Sequence, residues 1–267
     1  MSDFHKRLTA VKQVEFLGIH THALSFTDFF DISDEWLKRQ EDRSITVACV
    51  NVNCCVSALQ ENLLELYNCA DIRTQDSRPF VLWTRAFYYK DADQLNAPDL
   101  MLEAAKRAAE KRYRFYLYGG REGAPEKMEA YLKEMYPAVD IVGKYSPPFR
   151  PLSDEEDAEI CRMINRADPD FLWIGLGSPK QDVWIADHRD KIKGAIIIAS
   201  GATFDFYSGE IKRAPKWVRF LGLEWFYRLC SDPKRLWKRY TVYNAIFLVK
   251  FFLQLVGLRK SQDKRKN

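Results

Sequence analysis

The sequence predicts an α/β fold: a three-layer, Rossmann-like body on a mainly parallel sheet, followed by a C-terminal helical appendage that is both basic and apolar. Three observations lead there. Short apolar runs at residues 45–50, 113–118, 139–142, 171–174 and 195–199 alternate with segments of helical period, the arrangement that builds a parallel sheet with crossover helices. Most of these runs are continuous rather than alternating, as strands covered on both faces require. The charge also changes along the chain. Residues 228–267 hold eleven Lys and Arg against two acids, a net +9, which leaves the other 227 residues at −5 within a total of +4. Residues 1–210 therefore read as one α/β body and residues 211–267 as the appendage.

A chain of 267 residues, 47% of them hydrophobic, is ample for a buried core. It shows no repeat of solenoid period and no low-complexity linker. Its six cysteines form no C-x-x-C pair and are too sparse for a disulfide scaffold. With no signal-like stretch ahead of the first periodic segment, a cytoplasmic protein with free thiols is expected. Cys54-Cys55 reads as small apolar packing near a helix start rather than a redox pair.

Residues 13–19 form a short apolar run, and residues 27–39 carry Phe29, Phe30, Ile32, Trp36 and Leu37 at helical spacing. His20-x-His22 has no further His or Cys at ligand spacing and reads as loop. Strand 45–50 ends at Asn51-Val52-Asn53, ahead of an amphipathic helix over 56–67. Loops at the carboxyl ends of parallel strands bind ligands in open α/β sheets, so Asn51 and Asn53 stand where function falls. Each would equally serve as a helix cap. Residues 70–79 follow, with Asp76 on what composition alone makes a surface turn. Asp91-Ala92-Asp93 matches a D-x-D metal pattern, but the match is common in a chain with 37 acids, and residues 87–94 read as an exposed turn.

Helix 99–111 leads into strand 113–118 and Gly119-Gly120, and helix 125–135 into strand 139–142 and the turn 143–149. Ser153, with Glu156 three residues on, opens a third helix, which Asp168-Pro169-Asp170 ends. Strand 171–174 breaks at Gly175-Leu176-Gly177-Ser178-Pro179, and helical period restarts at Lys180. The apolar run 195–199 likewise ends at Ser200-Gly201-Ala202-Thr203. Strand, Gly-rich turn and helix outline a phosphate cradle, because small residues let backbone N–H groups approach an anion. The same letters also serve a plain corner.

Past Lys212, aromatic residues such as Trp217, Phe220, Trp225 and Trp237 are interleaved with Lys and Arg, the composition a bilayer interface selects. Residues 245–258 are more apolar, yet too short to span, so they read as lying on the membrane or, alternatively, packing on the protein's own sheet or a partner subunit. No nucleic-acid recognition motif accompanies the basic tail.

Gly-Leu-Gly-Ser-Pro-Lys-Gln-Asp-x-Trp at 175–184, Gly-Ala-x-Phe-Asp at 201–205, Arg213-Ala214-Pro215, Leu223-Glu224-Trp225 and Arg228-Leu229 closely resemble the WecG/TagA/CpsF glycosyltransferase family. Recognisable blocks run from residue 45 to 240. The resemblance implies an inverting, metal-independent transferase without a cofactor. It would move a sugar from a UDP donor to a polyprenyl-diphosphate-linked saccharide at the cytoplasmic membrane face, in cell-surface polysaccharide assembly. Carried over residue by residue, it implies Asp76 as general base, with Asn51 and Arg85 positioning the sugar and its leaving diphosphate. Gly119, Gly120, Gly177, Ser178, Lys180, Gln181, Gly201, Phe204 and Asp205 would fall at the donor, and Arg228, Arg235 and Arg239 at the acceptor diphosphate. A homo-oligomer is compatible with it, and nucleic acid is not expected.

The chain departs from the family pattern at Ser77, where Gly is usual, at Cys49, where many members have Thr, and at Ala97, where Gly is common. If position 77 required positive φ, a serine would strain the loop that aims Asp76. A catalytically impaired, membrane-associated nucleotide-sugar-binding protein is therefore one alternative. A nicotinamide dehydrogenase is another, although it expects its glycines in the first βαβ unit, with an acid about 20 residues on.

Overall fold

The computed structural model describes residues 3–39 and 41–257. Strands β1 (Gln13–Phe16) and β2 (Ile19–His22) form an antiparallel hairpin. Six further strands are β3 (Ile45–Val50), β4 (Ile72–Gln75), β5 (Arg114–Gly119), β6 (Asp140–Tyr145), β7 (Phe171–Gly175) and β8 (Ile196–Ala199). They make one parallel sheet in the order β4-β3-β8-β7-β5-β6. The chain lays down β3 and β4, crosses to β5 and β6, and returns to fill the middle with β7 and β8. All six carboxyl ends therefore share one rim.

Alternation along each strand sorts the core into two layers. Val47, Leu117, Trp173 and Ile198 pack with residues of the helices Phe26–Leu37, Ala97–Lys111 and Ala124–Met135. Their neighbours Tyr118, Leu172, Ile174 and Ile197 pack with the helices Asp154–Ala167 and Lys180–His188. The three-layer architecture follows, and the capping box read at Ser153 and Glu156 is formed.

β4 was hidden by its letters. Ile-Arg-Thr-Gln looks polar, yet all four residues are buried, because the hairpin covers this edge of the sheet. Arg73 N donates to His22 Nδ1 at 3.0 Å, and Gln75 Nε2 to Thr21 Oγ1 at 3.0 Å. The Arg73 guanidinium is spent on the carbonyls of His20, Asn68 and Ala70. His20 and His22 thus lie on a strand, not in a loop. Burial, with the charge of Arg73 second, pushes His22 down to about 3, so it is a neutral acceptor. At the other edge, a register shift between Phe115 and Tyr116 kinks β5 against β6. The ring of Tyr116 lies across Gly143, and Lys144 pairs with Glu129.

The helix expected over 56–67 is two, Val52–Gln60 and Leu64–Asn68, parted near Asn62, whose φ is 56°. It also starts early, because Asn51 caps it. A helix Arg78–Phe87 follows β4. Asp93 of the D-x-D string is structural: it accepts from Phe26 N at 3.0 Å and from Arg85 Nη2 at 3.1 Å.

Beyond the helix Gly201–Tyr207 come the helices Lys216–Phe220 and Glu224–Ser231. A run then passes from Pro233–Trp237 through a π-helical turn, Lys238–Val242, into Tyr243–Leu255. That last helix has two faces. Phe247 is buried and, with Phe251, packs against Phe16 and Phe80 and residues of the helix Val52–Gln60. Gln254 Oε1 accepts from Leu17 N at 3.0 Å. Leu248, Val249, Phe252 and Leu255 face outward and are exposed. The inner face thus rests on the protein itself. No helix among the described residues is long and apolar enough to cross a membrane. Leu258 and the basic residues Arg259, Lys260, Lys264, Arg265 and Lys266 lie outside the described residues.

Phe247→Ala should lower the unfolding free energy by about 3 kcal/mol, the usual range for deleting a buried ring. Urea unfolding with an unchanged midpoint would show that the C-terminal helix does not pack on the body.

Candidate active site

A cleft of about 810 Å3 opens on the rim formed by the carboxyl ends of the strands. Its floor begins where β3 and β4 end. Their parallel register sets Val50 beside Gln75, so the next residue of each chain meets the other: Asn51 Nδ2 donates to Asp76 Oδ2 at 3.0 Å. Asn51 Oδ1 at the same time accepts from Cys54 N at 3.1 Å, so one side chain is both helix cap and partner of the carboxylate. The Asp76 backbone is held on both sides, its N–H by Val50 O and its carbonyl by Gln94 Nε2, each at 2.8 Å.

Burial pushes the Asp76 carboxyl up to about 7. The Asn51 hydrogen bond pulls it back, Glu224 raises it, Arg228 lowers it and Asp99 raises it again. A neutral-range carboxyl facing an open cleft suits proton transfer near physiological pH.

Ser77 does not strain this loop. Its φ is −105°, and its Oγ accepts from Val52 N at 3.1 Å, tying the two strand ends together. Ala97 opens the helix Ala97–Lys111 behind the Asn96 cap, also without positive φ. Cys49 lines the cleft, and burial pushes its thiol up.

The Gly-rich turns come together by close packing. Gly119 has φ +122°, and a Cβ there would stand 2.5 Å from the carbonyl carbon of Gly175. Phe204 is buried against Gly120 and Gly175. Gly119 and Phe204, expected at the donor, are packing residues and do not line the cleft. Gly177 N donates to Gln181 Oε1 at 3.1 Å, so the amide that would cradle a phosphate is engaged within the turn. Gln181 is itself buried and braces this turn against Gly201.

Gly120, Gly177, Ser178, Lys180, Gln181, Gly201 and Asp205 line the cleft with Asn51 and Asp76. Arg228, Arg235 and Arg239 reach it from the C-terminal segment. Arg228 lies over the Phe206 ring at 5.3 Å, and Arg235 pairs with Asp232 at 2.6 Å. Arg239 Nε is buried with no partner among the described residues. Arg85 is not brought in: Nε donates to Ala92 O at 2.6 Å and Nη2 to Asp93, so it holds a remote turn.

Sequence reasoning missed Asp182, Gln94, Arg121 and Arg150. Asp182, beside Tyr67 and Ser178, is pushed up to about 6 by burial, against hydrogen bonds from Ser178 and Tyr67 and the charge of Arg239. Its place straight after Gln181 was the available signal. Asp157, Cys161 and His188 bring metal-ligand atoms within 4.8 Å of one another, but none lines the cleft. Lys191 Nζ already stands 3.5 Å from both Asp157 and His188.

A half-buried carboxylate and three arginines line one cleft, a combination chemically suited to an anionic substrate that must lose a proton. The chain belongs to the WecG/TagA/CpsF family of glycosyl transferases, whose family profile matches residues 14–261. It is 28% identical over 224 residues, 83% of each chain, to the N-acetylglucosaminyldiphosphoundecaprenol N-acetyl-beta-D-mannosaminyltransferase of Bacillus subtilis (strain 168).

Two stability measurements check this geometry. Ser77→Gly should lose about 1 kcal/mol, the size of one hydrogen bond, rather than gain from relieved strain. For Asp76 the folded value lies above the unfolded one, so the folded state favours the proton and stability falls as pH rises from about 4 through about 7. Asp76→Asn should therefore melt above the parent at pH 8, with the gap closing toward pH 4. A gap independent of pH would show the carboxylate to be solvated.

Proposed function

We propose that this chain transfers an N-acetylhexosamine from a UDP-linked donor, with inversion, to a polyprenyl-diphosphate-linked saccharide in cell-surface polysaccharide assembly. The observation that carries it is the raised carboxyl of Asp76 facing the arginine-bearing segment across one cleft. The name of the Bacillus subtilis relative supports both the sugar class and the lipid-linked acceptor.

In this reaction the acceptor hydroxyl attacks the anomeric carbon while Asp76 takes its proton, and the glycosidic bond forms as the bond to the nucleoside diphosphate breaks. Asn51 keeps the carboxylate ionised and aimed. Asp205, Lys180 and the turns at 177–181 and 201–205 hold the donor, and Arg228, Arg235 and Arg239 meet diphosphate charge, for which the planar guanidinium fork is suited. Arg85 takes no part. Cationic side chains supply the charge that a metal supplies elsewhere. The exposed Trp217, Phe220 and Phe252, with neighbouring Lys and Arg, support peripheral contact with an anionic membrane face, at about 1 kcal/mol per basic residue near the surface. The unstrained geometry of Ser77 supports an active protein over an impaired one.

Asp76→Asn should reduce sugar transfer to a lipid-linked acceptor roughly a thousandfold, in line with loss of a general base. UDP affinity, by titration calorimetry, should stay within about threefold, since the base acts on the acceptor. Wild-type turnover in that variant would remove Asp76 from the mechanism. kcat/KM of the parent should rise through an acid limb centred near 7. Asn51→Ala should move that limb upward, because the lost hydrogen bond favoured the charged form.

A further inference from the structure

Asp99 stands in the first turn of the helix Ala97–Lys111, behind the Asn96 cap. Its two oxygens are differently engaged. Oδ2 accepts from Asn96 Nδ2 at 2.8 Å, within the body. Oδ1 is shared by two arginines from the C-terminal segment, Arg213 Nη1 at 2.7 Å and Arg219 Nη1 at 3.2 Å. Arg213 is the better buried of the two, its side chain 12% exposed. It also donates to Asn96 Oδ1 and to the Tyr207 hydroxyl, each at 3.2 Å.

The tie continues outward to the cleft. Arg213 Nε stands 3.4 Å from Glu224 Oε1, and Glu224 opens the helix that carries Arg228 one turn later. Arg213 and Arg228 also share the Phe206 ring, at 5.8 and 5.3 Å from its centre. A chain of charged contacts thus runs from a body helix, through two arginines, to the arginine beside Asp76. Burial would push the Asp99 carboxyl up, but Arg213, Asn96 and Arg219 together hold it below the usual carboxylate range, so it is ionised throughout the working pH range. Removing one member leaves the opposite charge unpaired in a half-buried site, which couples the members of the joint to one another.

We propose that Asp99 is a positioning residue for the transfer reaction: its carboxylate, shared by Arg213 and Arg219, fastens the C-terminal segment to the body and so sets Arg228 over the cleft that holds Asp76. The proposal rests on the assignment above of that segment's arginines to the acceptor diphosphate. Asp99 does not line the cleft; beyond the push its charge gives the Asp76 carboxyl, it acts through Arg213, Glu224 and Arg228. Its loss should therefore weaken acceptor use and leave the nucleotide alone.

The experiment uses the full chain, with Asp99→Asn and the milder Arg219→Ala. Each should raise the acceptor KM about tenfold, the usual size of a coupled charge contact, while UDP affinity stays unchanged. Introduced into an Arg228→Ala background, neither should add a further loss, whereas a merely destabilising change would subtract equally from both backgrounds. Trypsin should also cut after Lys212 or Lys216, both exposed, about ten times faster in the two variants, as released segments do. A parent-like acceptor KM in both variants, equal losses on both backgrounds, or parent-like tryptic rates would overturn the proposal. A parent enzyme that transfers no sugar would instead sink the assignment of function, and the tryptic rates would still decide the joint.

Discussion

A carboxylate half-buried at the junction of two strand ends is the constraint on which the rest of this structure depends. Taking Asp76 out of solvent raises its proton affinity, and only the Asn51 amide among its neighbours makes a direct hydrogen bond that offsets this. That bond exists because β3 and β4 are parallel and in one register. A slip of one residue would turn Asn51 or Asp76 to the other face of the sheet. The register is held in turn by the hairpin over β4, whose His22 and Thr21 pair with the outer strand.

The glycine-rich turns serve the same site less directly than their letters suggest. Two of their amides are engaged within the fold: Gly120 N donates to Gly175 O at 2.9 Å, and Gly177 N to Gln181. The arginines that line the cleft come from a segment outside the sheet. The body supplies proton chemistry, and the C-terminal helices supply charge.

How much of this was legible follows from what a sequence pattern measures. The β3, β5, β7 and β8 runs were plain because a strand buried on both faces must be apolar throughout. β4 was not, because its polar side chains find hydrogen-bond partners some twenty to fifty residues away in sequence, such as Leu95 for Thr74 and Thr21 for Gln75 Nε2. Asn51 was placed by its position at the end of a parallel strand, but Asp76 only by family resemblance, since a lone aspartate after a short polar stretch carries no signal of its own. Arg85 and Phe204 matched the pattern and still lie off the cleft, because a motif fixes residue type but not which neighbour claims the side chain. Whether residues 245–258 met protein or lipid was undecidable from composition: a helix apolar on all sides has no preferred face until the body offers one.

The two margins of the sheet differ in kind but agree in effect. One is sealed by a histidine ring and a threonine hydroxyl from the hairpin; the other is bent by the offset beside Tyr116 and guarded by a lysine tied to a neighbouring helix. The hairpin occupies the first margin and the offset breaks the regularity of the second, so among the described residues neither is a straight template for extending the sheet. Contacts that copies of this chain make through their side chains would therefore be open to weakening or redirection by surface substitution, without disturbing the strand order within.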